Sequence, residues 1–386
     1  MISRRSLLAA AMLAAAALPA AAQEPFRIGL ILPMTGQSQS TGRQIDAAVK
    51  LWMAQNGGTA AGRKIEVLLR DDAGVADTTR RVAQELVVRD KVNALAGFGL
   101  TPLALATAPI ATQAKIPMIV MAAATSMIVA QSPYIVRTSQ VLPQQAAITA
   151  DWAAANGAKK AATLVTDYGP GYDAEKWFTE RFTKAGGEIA VALRTPLAGP
   201  DFAPFLQRVA DAKPDMLYAF MPSGQGAAFA KQFTERGLDK SGIRLIAAGD
   251  VTDDDRLNGM GDSMLGVATA MFYSAAHPSD VNRAFVAAFK AANPGMRPNF
   301  MAVAGYDGMT LLARALVATK GDSDGTKLVE AMKGQTWESP RGPILIDPAT
   351  RDVVHNIYMR KVERTGGELY NVEFATFPMV KDPAKP

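Results

Sequence analysis

Short apolar runs alternate with amphipathic helical segments along most of the chain, and this alternation constrains the fold more than any other feature. Arg27–Leu32 is an apolar run that ends at Pro33, which is typical of a buried parallel strand. Thr41–Gln55 follows with apolar residues at helical spacing. Repeated units of this kind, about 30 residues long, predict a parallel sheet with helices on both faces. The fold class is therefore predicted to be α/β.

Two such series follow one another along the sequence. The second begins after Ser139, and each series is long enough for a sheet of its own, as expected for two domains in 386 residues. The helices and strands after Val267 exceed what the second series needs, so we expect the chain to cross back and complete both lobes. Ligands of open α/β sheets bind beyond the carboxyl ends of the strands. The predicted site is therefore a cleft between two lobes.

The composition excludes several kinds of site. Without cysteine there is no disulfide, thiolate metal ligand or cysteine nucleophile. The only histidines are His277 and His355, too few for a three-histidine zinc site. The sequence also lacks a phosphate-binding G-x-x-x-x-G-K-[ST] loop and a G-x-S-x-G nucleophile elbow. We expect no catalytic residues, no metal and no cofactor.

The first 22 residues have the pattern of an export signal. Arg4 and Arg5 precede the apolar run Leu7–Leu18, and the small residues Ala20–Ala22 form a cleavage site. The run is too short to span a bilayer; the alternative is an alanine-rich helix that is retained. Removing the two arginines with the signal lowers the net charge from +5 to +3. A chain this close to neutral lacks the excess of positive charge that is typical of nucleic-acid-binding proteins. We expect residues 1–22 to direct export to a bacterial periplasm.

Four predicted strands end in small residues that lead into a helix. Hydroxyls and free amides at helix N-termini bind carboxylates and other small anions. For each hydroxyl taken alone, the alternative is an ordinary helix cap. Thr101 and Thr125 leave successive parallel strands, so we expect both to face one ligand. The candidate binding residues at these strand exits are Thr41, Gly99, Thr101, Ala123, Thr125, Pro222 and Ser223.

Further candidates are aromatic or acidic. Tyr168 and Tyr172 flank a Gly-Pro-Gly turn at a strand exit of the second series. Aromatic side chains there can cover an apolar ligand; the alternative is packing against their own lobe. Asp253–Asp255 lacks the spacing of a calcium loop and is predicted to be a solvated helix start. Asp71–Asp72 is predicted to be a solvated turn or a cap.

Motifs spread in order over the mature chain resemble the leucine/isoleucine/valine-binding family of periplasmic receptors for ABC importers. They are Arg27–Gly36, Asp71–Asp72, Ala122–Ser126, Asp167–Tyr168 with Gly171, Asp201–Phe202 and Gly305–Asp307. The resemblance implies a type I periplasmic-binding fold, in which two Rossmann-like lobes with parallel sheets, joined by a three-crossing hinge, close on a small ligand. We expect lobe 1 at residues 23–139 and 272–347, and lobe 2 at 140–271 and 348–386.

The resemblance also implies roles for particular residues. In the family, hydroxyls and amides at two strand exits of the first lobe hold the ligand carboxylate; these positions match Thr101 and Ala123–Thr125. The second lobe closes with an aromatic residue from the loop matching Tyr168–Tyr172 and with the loop matching Pro222–Ser223. Amino-acid binders place an acid near Ala248–Asp250 to pair with the ligand ammonium.

The sequence departs from the amino-acid receptors in informative places. Gly249 aligns with the ammonium-binding acid and Asp250 lies one position away, while Thr41 stands where the amino-acid receptor has a tyrosine. If Asp250 does not reach the site, a buried ammonium would lack its partner at high cost, and a carboxylate without an ammonium fits better. Phe98–Thr101 and Tyr134–Ser139 resemble relatives that bind aromatic acids such as 4-hydroxybenzoate.

Three functions follow from these observations. The first is a monomeric solute receptor that binds a small hydrophobic carboxylate, either an aromatic acid or a branched-chain amino acid, and presents it to an inner-membrane ABC permease by lobe closure. The second is a ligand-sensing module for a separate signalling receptor. The third is a periplasmic hydrolase or lyase, for which Asp250 is the only plausible acid in the cleft. We favour the receptor.

Overall fold

Residues 24–385 form two separate β-sheets, and helices pack on each of them. The structure is a computed structural model that describes residues 24–385; the predicted signal peptide, residues 1–22, lies outside this range. Both sheets are built largely from parallel strands joined through helices. The predicted α/β class with two lobes is therefore confirmed.

The first series of strands and helices forms most of one lobe. In chain order its elements are β1 (Phe26–Leu32), α1 (Gln39–Gln55), β2 (Thr59–Ala60), β3 (Arg63–Asp71), α2 (Ala76–Val88), β4 (Ala94–Gly97), α3 (Thr101–Ala114), β5 (Met118–Val120) and β6 (Ile135–Arg137). Within residues 24–385 these strands form a six-stranded sheet in the spatial order β2-β3-β1-β4-β5-β6. All neighbouring pairs are parallel except β2–β3.

The second series forms most of the other lobe. Its elements are α4 (Leu142–Ala155), β7 (Lys160–Thr166), α5 (Gly169–Lys184), β8 (Glu188–Thr195), α6 (Ala203–Ala212), β9 (Met216–Phe220), α7 (Gly226–Glu235), β10 (Arg244–Ala248), α8 (Leu257–Met260) and β11 (Ala268–Met271). Strands β8, β7, β9, β10 and β11 lie side by side in that order, and all of these pairs are parallel.

The last third of the chain contributes to both lobes. Its elements are α9 (Asp280–Ala292), α10 (Phe300–Ala318), α11 (Gly325–Met332), β12 (Thr336–Ser339), β13 (Gly342–Ile346), β14 (Val353–Thr365) and β15 (Glu368–Val380). Helices α9, α10 and α11 pack with the first sheet and its helices. The four strands join the second sheet antiparallel, with β14 next to β11.

The strand exits that carry candidate residues meet at one place because the sheets are parallel. β1 is central in the first sheet, and its Ile28, Leu30 and Leu32 are buried between the helices. β4 and β5 follow β1 across the sheet, so their carboxyl ends lie at the same edge. In the second sheet, β7, β9 and β10 end together in the same way.

Helix α10 ties the late part of the chain to the first lobe. It packs so closely on α1 that a Cβ atom at Gly305 would lie 3.0 Å from the Cγ2 atom of Ile45. Within residues 24–385, α10 is the one helix long and apolar enough to cross a membrane, but 72% of its apolar window is buried inside the protein. We interpret α10 as a core helix.

The pairing of β12 and β13 differs from the predicted division of the chain. Residues 272–347 were expected in lobe 1, whereas β12 and β13 hydrogen-bond through β14 into the second sheet. Trp337 and Ser339 nevertheless donate hydrogen bonds to Asp307 of α10 (3.0 and 2.9 Å), so β12 lies at the junction of the lobes. We propose that the three crossings fall at residues 138–141, 272–279 and 333–335.

Three fully buried arginines lie where the chain passes between the lobes, and each forms an ion pair with an aspartate. The pairs are Arg137–Asp352, Arg341–Asp307 and Arg360–Asp254. Arg341 also donates to the carbonyls of Thr138 and Ser139 in the first crossing (2.7 and 3.2 Å). Because water cannot replace these partners, each arginine fixes the backbone of the hinge around it.

We predict that Asp307→Ala lowers the free energy of unfolding by about 3–5 kcal/mol, because it leaves Arg341 buried without its carboxylate. Chemical denaturation monitored by circular dichroism measures the change. Asp151→Ala is the matched control: the Asp151–Arg181 pair is 42% exposed on both sides, so its loss should cost about 1 kcal/mol or less. Equal losses in the two variants would contradict this account of the hinge.

Candidate ligand-binding site

A small cavity lies between the two lobes, where the strand exits of both sheets face each other. Lobe 1 contributes three strand exits and the first turn of α10, and lobe 2 contributes residues after β7, β9 and β10. The lining residues are Thr41, Gly99, Leu100, Thr101, Ala122, Ala123, Ala124, Gln140, Tyr168, Pro170, Phe220, Pro222, Ser223, Asp250 and Met301.

Two threonine hydroxyls form the polar centre of the lobe 1 wall. The side-chain oxygens of Thr101 and Thr125 lie 2.7 Å apart, and both residues are buried. One hydroxyl donates to the other, which leaves the proton of the second hydroxyl for another acceptor. Thr101 occupies the first position of α3 after the N-cap residue Leu100, and its hydroxyl does not cap the helix. The expected convergence of these two hydroxyls is present.

Arg137 orients the backbone next to this pair. Its guanidinium donates to the carbonyls of Ala123 (3.1 Å) and Thr125 (2.8 Å). In a trans peptide the carbonyl and the following N–H point in opposite directions. The N–H of Ala124 therefore points away from the arginine, and Ala124 lines the cavity. Arg137 thus holds an amide donor beside the threonine hydroxyls.

Lobe 2 meets the threonine pair with the start of another helix. A Cβ atom at Gly169, the first residue of α5, would lie 2.4 Å from the Oγ1 atom of Thr125, so only glycine allows this approach. Ser126 donates its backbone N–H to the carboxylate of Asp173 in the first turns of α5 (2.8 Å). The N-termini of α3 and α5 therefore converge on Thr125, and both favour a bound negative charge.

Aromatic and apolar side chains form the rest of the wall. The rings of Tyr168 and Phe220 are stacked, with centroids 6.1 Å apart and planes 15° from parallel. Pro170 and Pro222 lie on the same lobe, and Met301 approaches from lobe 1. Burial, with a smaller effect of the nearby Asp250 carboxyl, raises the pKa of Tyr168 well above its usual value, so its hydroxyl stays neutral. The wall suits a flat apolar group.

Asp250 reaches the cavity, which answers a question that the sequence left open. Its side chain is 3% exposed and accepts hydrogen bonds from Gln140 Nε2, at 3.3 Å to one oxygen and 3.4 Å to the other. Gly249 has no room for a side chain, since a Cβ atom there would lie 2.4 Å from Arg360 and 2.5 Å from Met271. The acid of this strand exit is therefore Asp250.

Asp253 links the cavity to the opposite lobe, contrary to the prediction for Asp253–Asp255. Its carboxylate accepts from the hydroxyl of the cavity residue Ser223 (2.6 Å) and from the amide of Asn299 on lobe 1 (2.9 Å). The prediction of a solvated helix start was wrong, because Asp253 and Asp254 are both buried. Their partners come from distant segments, which the local sequence could not reveal.

Arg297 is a second link between the lobes, in the loop that joins α9 to α10. Its carbonyl accepts from Gln44 of α1 (3.0 Å). Its side chain extends into lobe 2, where it donates to the carbonyl of Leu369 (2.6 Å), pairs with Glu368 (3.2 Å) and lies 4.0 Å from the ring centre of Tyr370. Arg297 therefore stabilises the arrangement in which the lobes enclose the cavity.

The structure brings together most of the predicted site residues. Thr41, Gly99, Thr101, Ala123, Tyr168, Pro222, Ser223 and Asp250 line the cavity, and Thr125 adjoins it through Thr101. Tyr172 does not take part: its side chain is 44% exposed, with the guanidinium of Arg194 4.7 Å from its ring centre. The reason is that α5 begins at Gly169, so Tyr172 lies one turn along the outer surface of that helix.

Sequence reasoning missed three informative cavity residues, Gln140, Phe220 and Met301. Phe220 ends strand β9 two residues before Pro222, so its place at a strand exit was a usable signal. Gln140 lies within the first crossing, beside Ser139, and Met301 lies in a helix far along the chain; neither has a local signal. Residues 24–385 contain no group of three or more histidine, aspartate or glutamate side chains arranged to hold a metal ion.

Comparison with known proteins identifies the family. Residues 25–368 match the family described as "Periplasmic binding protein". The chain belongs to this family. The resemblance inferred from the sequence motifs is thereby confirmed. Over 369 residues, this periplasmic binding protein is 42% identical to the "Leu/Ile/Val-binding protein homolog 6" of Brucella abortus, and the alignment covers 94% of each chain.

Solved structures place this periplasmic binding protein among the solute-binding proteins of ABC transporters. It superposes with a TM-score of 0.92 on one from Rhodopseudomonas palustris BisB5 in complex with 3,4-dihydroxybenzoic acid, at 63% identity over 94% of this chain and 99% of the other. A second R. palustris protein, in complex with 4-hydroxybenzoate, gives 0.91 at 38% identity with the same coverage. The type I periplasmic-binding fold is confirmed.

We predict that Asp250→Asn stabilises the unliganded protein at pH 8 and loses this effect towards pH 4. Burial, opposed in part by the Gln140 hydrogen bond, raises the pKa of Asp250 to about 7. Between pH 4 and 7 the Asp250 carboxyl is ionised in the unfolded chain but still protonated in the folded protein. The free energy of unfolding therefore falls as the pH rises through this range, and the loss due to Asp250 stays constant above pH 7. At about 1.4 kcal/mol per pKa unit, the gain at pH 8 is on the order of a few kcal/mol.

Urea denaturation at pH 5 and pH 8 measures this dependence. Asp77→Asn serves as the control, because the Asp77 side chain is 82% exposed and should change the stability little at either pH. A constant difference between Asp250→Asn and the parent protein at both pH values would contradict the prediction.

We also predict that Arg297→Ala weakens ligand binding about tenfold without removing a ligand contact. Its contacts with Glu368, Leu369 and Tyr370 stabilise the closed arrangement, and a less populated closed state lowers the apparent affinity by the same factor. Titration calorimetry measures the affinity, and small-angle X-ray scattering measures the opening. The exposed Arg283, paired only with Asp280, gives the control Arg283→Ala. An unchanged affinity for Arg297→Ala would show that Arg297 does not control closure.

Proposed function

We propose that this periplasmic binding protein is the receptor of an ABC importer and binds a small aromatic carboxylate between its lobes. The observation that carries the proposal is the composition of the cavity. A pair of buried hydroxyls, Thr101 and Thr125, lies on one lobe, and stacked aromatic rings, Tyr168 and Phe220, lie on the other.

The carboxylate of the ligand binds at the threonine pair. The free hydroxyl proton of Thr101 or Thr125 and the N–H of Ala124 donate to its oxygens, and the N-termini of α3 and α5 stabilise its charge. The ring of the ligand then packs against Tyr168 and Phe220. Because these groups belong to different lobes, the ligand stabilises the closed arrangement.

Delivery to a membrane permease completes the function. The closed receptor presents its ligand to an inner-membrane ABC permease, and opening of the lobes releases it. The mature receptor acts as a monomer in the periplasm, to which residues 1–22 direct its export. No step requires a catalytic residue or a cofactor.

The choice of an aromatic acid over an amino acid is supported by two observations. The solved relatives with 3,4-dihydroxybenzoic acid and 4-hydroxybenzoate share 63% and 38% identity with this chain. The wall formed by Tyr168 and Phe220 also offers a flat surface. A branched-chain amino acid remains the second candidate, because Asp250 lines the cavity and could pair with an ammonium.

We predict that the refolded, ligand-free protein binds 4-hydroxybenzoate and 3,4-dihydroxybenzoate and does not bind leucine or valine. Thr101→Val should weaken the binding of every aromatic carboxylate about 10- to 100-fold, because it removes a hydrogen bond to a charged group while keeping the side-chain shape. Titration calorimetry measures the affinities. A thermal-shift panel detects any binder, since a ligand at 100 times its dissociation constant adds about 2.7 kcal/mol to the stability.

Thr107→Val is the matched control for Thr101→Val. Thr107 is a buried threonine of the same helix whose hydroxyl bonds to the carbonyl of Leu103 (3.0 Å), away from the cavity. The affinity of Thr107→Val for aromatic carboxylates should equal that of the parent protein. Binding of leucine without binding of any aromatic acid would reject the proposed ligand class, and an unchanged affinity in Thr101→Val would reject the carboxylate site.

A further inference from the structure

Asp250 is a buried carboxyl group that the protein leaves under-bonded. It accepts from a single side chain, Gln140, whose Nε2 atom is shared between the two oxygens at 3.3 and 3.4 Å. A carboxylate has about four acceptor positions. Within residues 24–385, no lysine, arginine or histidine nitrogen lies within 4.0 Å of Asp250, and Arg360 pairs with Asp254 instead. Within residues 24–385, the remaining acceptor positions of the Asp250 carboxylate therefore have no side-chain donor other than Gln140.

The orientation of Gln140 is fixed by its own partners. Its Oε1 atom accepts from Gln145 Nε2 (2.5 Å), and Gln145 Oε1 accepts from the backbone N–H of Gly249 (3.4 Å). This chain of amides directs the NH₂ group of Gln140 at Asp250. Both Gln140 and Asp250 line the cavity. The remaining acceptor positions of Asp250 are therefore available to a donor on the ligand.

The polar groups of the cavity lie on opposite lobes. Thr101 belongs to the exit of β4 in lobe 1, whereas Asp250 belongs to the exit of β10 in lobe 2. A ligand whose carboxylate binds at Thr101 bonds to Asp250 if it carries a hydrogen-bond donor on the part of the molecule that faces lobe 2. A hydroxyl on an aromatic ring is such a donor.

We propose that Asp250, oriented by Gln140, accepts a hydrogen bond from a ring hydroxyl of the ligand, so that the receptor selects hydroxylated aromatic acids over unsubstituted benzoate. This inference rests on the proposed function and names the substrate class within it. A ligand without the hydroxyl leaves the buried Asp250 carboxyl without a second hydrogen-bond donor. The free-energy cost of this unbonded carboxyl makes the receptor prefer the hydroxylated ligand.

An ammonium group is a poorer match for this position. In the amino-acid receptors that the sequence resembles, the acid that pairs with the ammonium aligns with Gly249, one position before Asp250. The neighbouring position, Gly249, cannot hold an acidic side chain.

The test compares the affinities for 4-hydroxybenzoate and benzoate in the parent protein and in Asp250→Ala. We expect the parent protein to prefer 4-hydroxybenzoate about tenfold or more, and the ratio in Asp250→Ala to fall to within about threefold of unity. The affinity for benzoate should rise, because Asp250→Ala removes the buried carboxyl that benzoate leaves without a donor. Asp250→Asn keeps the side-chain volume and should lower the ratio in part, which covers the case in which Asp250→Ala fails to fold.

Asp72→Asn is the matched control, since Asp72 is a buried carboxyl that bonds to Gly74 and Thr79 away from the cavity. Its ratio should equal that of the parent protein. A ratio unchanged in both Asp250 variants would overturn the inference while leaving the proposed function intact. Absence of binding by any aromatic acid in the parent protein would instead reject the proposed function. Leucine binding that Asp250→Asn abolishes would assign Asp250 to an ammonium.

Discussion

The buried arginine–aspartate pairs of the hinge are the constraint on which the rest of the structure depends. Arg341 joins Asp307 of helix α10 to the carbonyls of Thr138 and Ser139, and so fixes the first crossing against the first lobe. Arg137 donates to the carbonyls of Ala123 and Thr125, and so fixes the backbone of the strand exit that carries Ala123–Thr125. Such pairs gain little net stability over apolar packing, but losing one partner is costly, so they favour one arrangement of the crossings.

The ligand cavity contains polar groups that a stable core would exclude. Asp250 and Asp253 are buried carboxyls whose pKa values are raised by burial, and their ionised forms lower the stability of the unliganded protein. Asp253 also joins Ser223 in the cavity to Asn299 on the other lobe. A ligand that supplies a donor to one lobe and an acceptor to the other relieves this cost only when the lobes are closed. Binding and closure are therefore coupled through the same few groups.

The sequence predicted the positions of the site better than its contacts. Thr101 and Thr125 could be paired in advance because parallel strands bring consecutive exits to one edge of a sheet. Tyr172 was misplaced because the start of α5 at Gly169 decides which side of the helix it occupies. Asp253–Asp255 was misread as solvated because Asn299, Arg360 and the other partners come from segments remote in sequence.

The sequence by itself determined the alternation of strands and helices, the number of lobes and the strand exits that carry hydroxyl groups. These features depend on periodicity and on residues close together along the chain. Only the tertiary structure decided that Asp250 meets Gln140, 110 residues away, and that Arg297 crosses to Tyr370. Such contacts require two lobes to be placed against each other, and this placement is set by the buried hinge pairs, which no local pattern encodes.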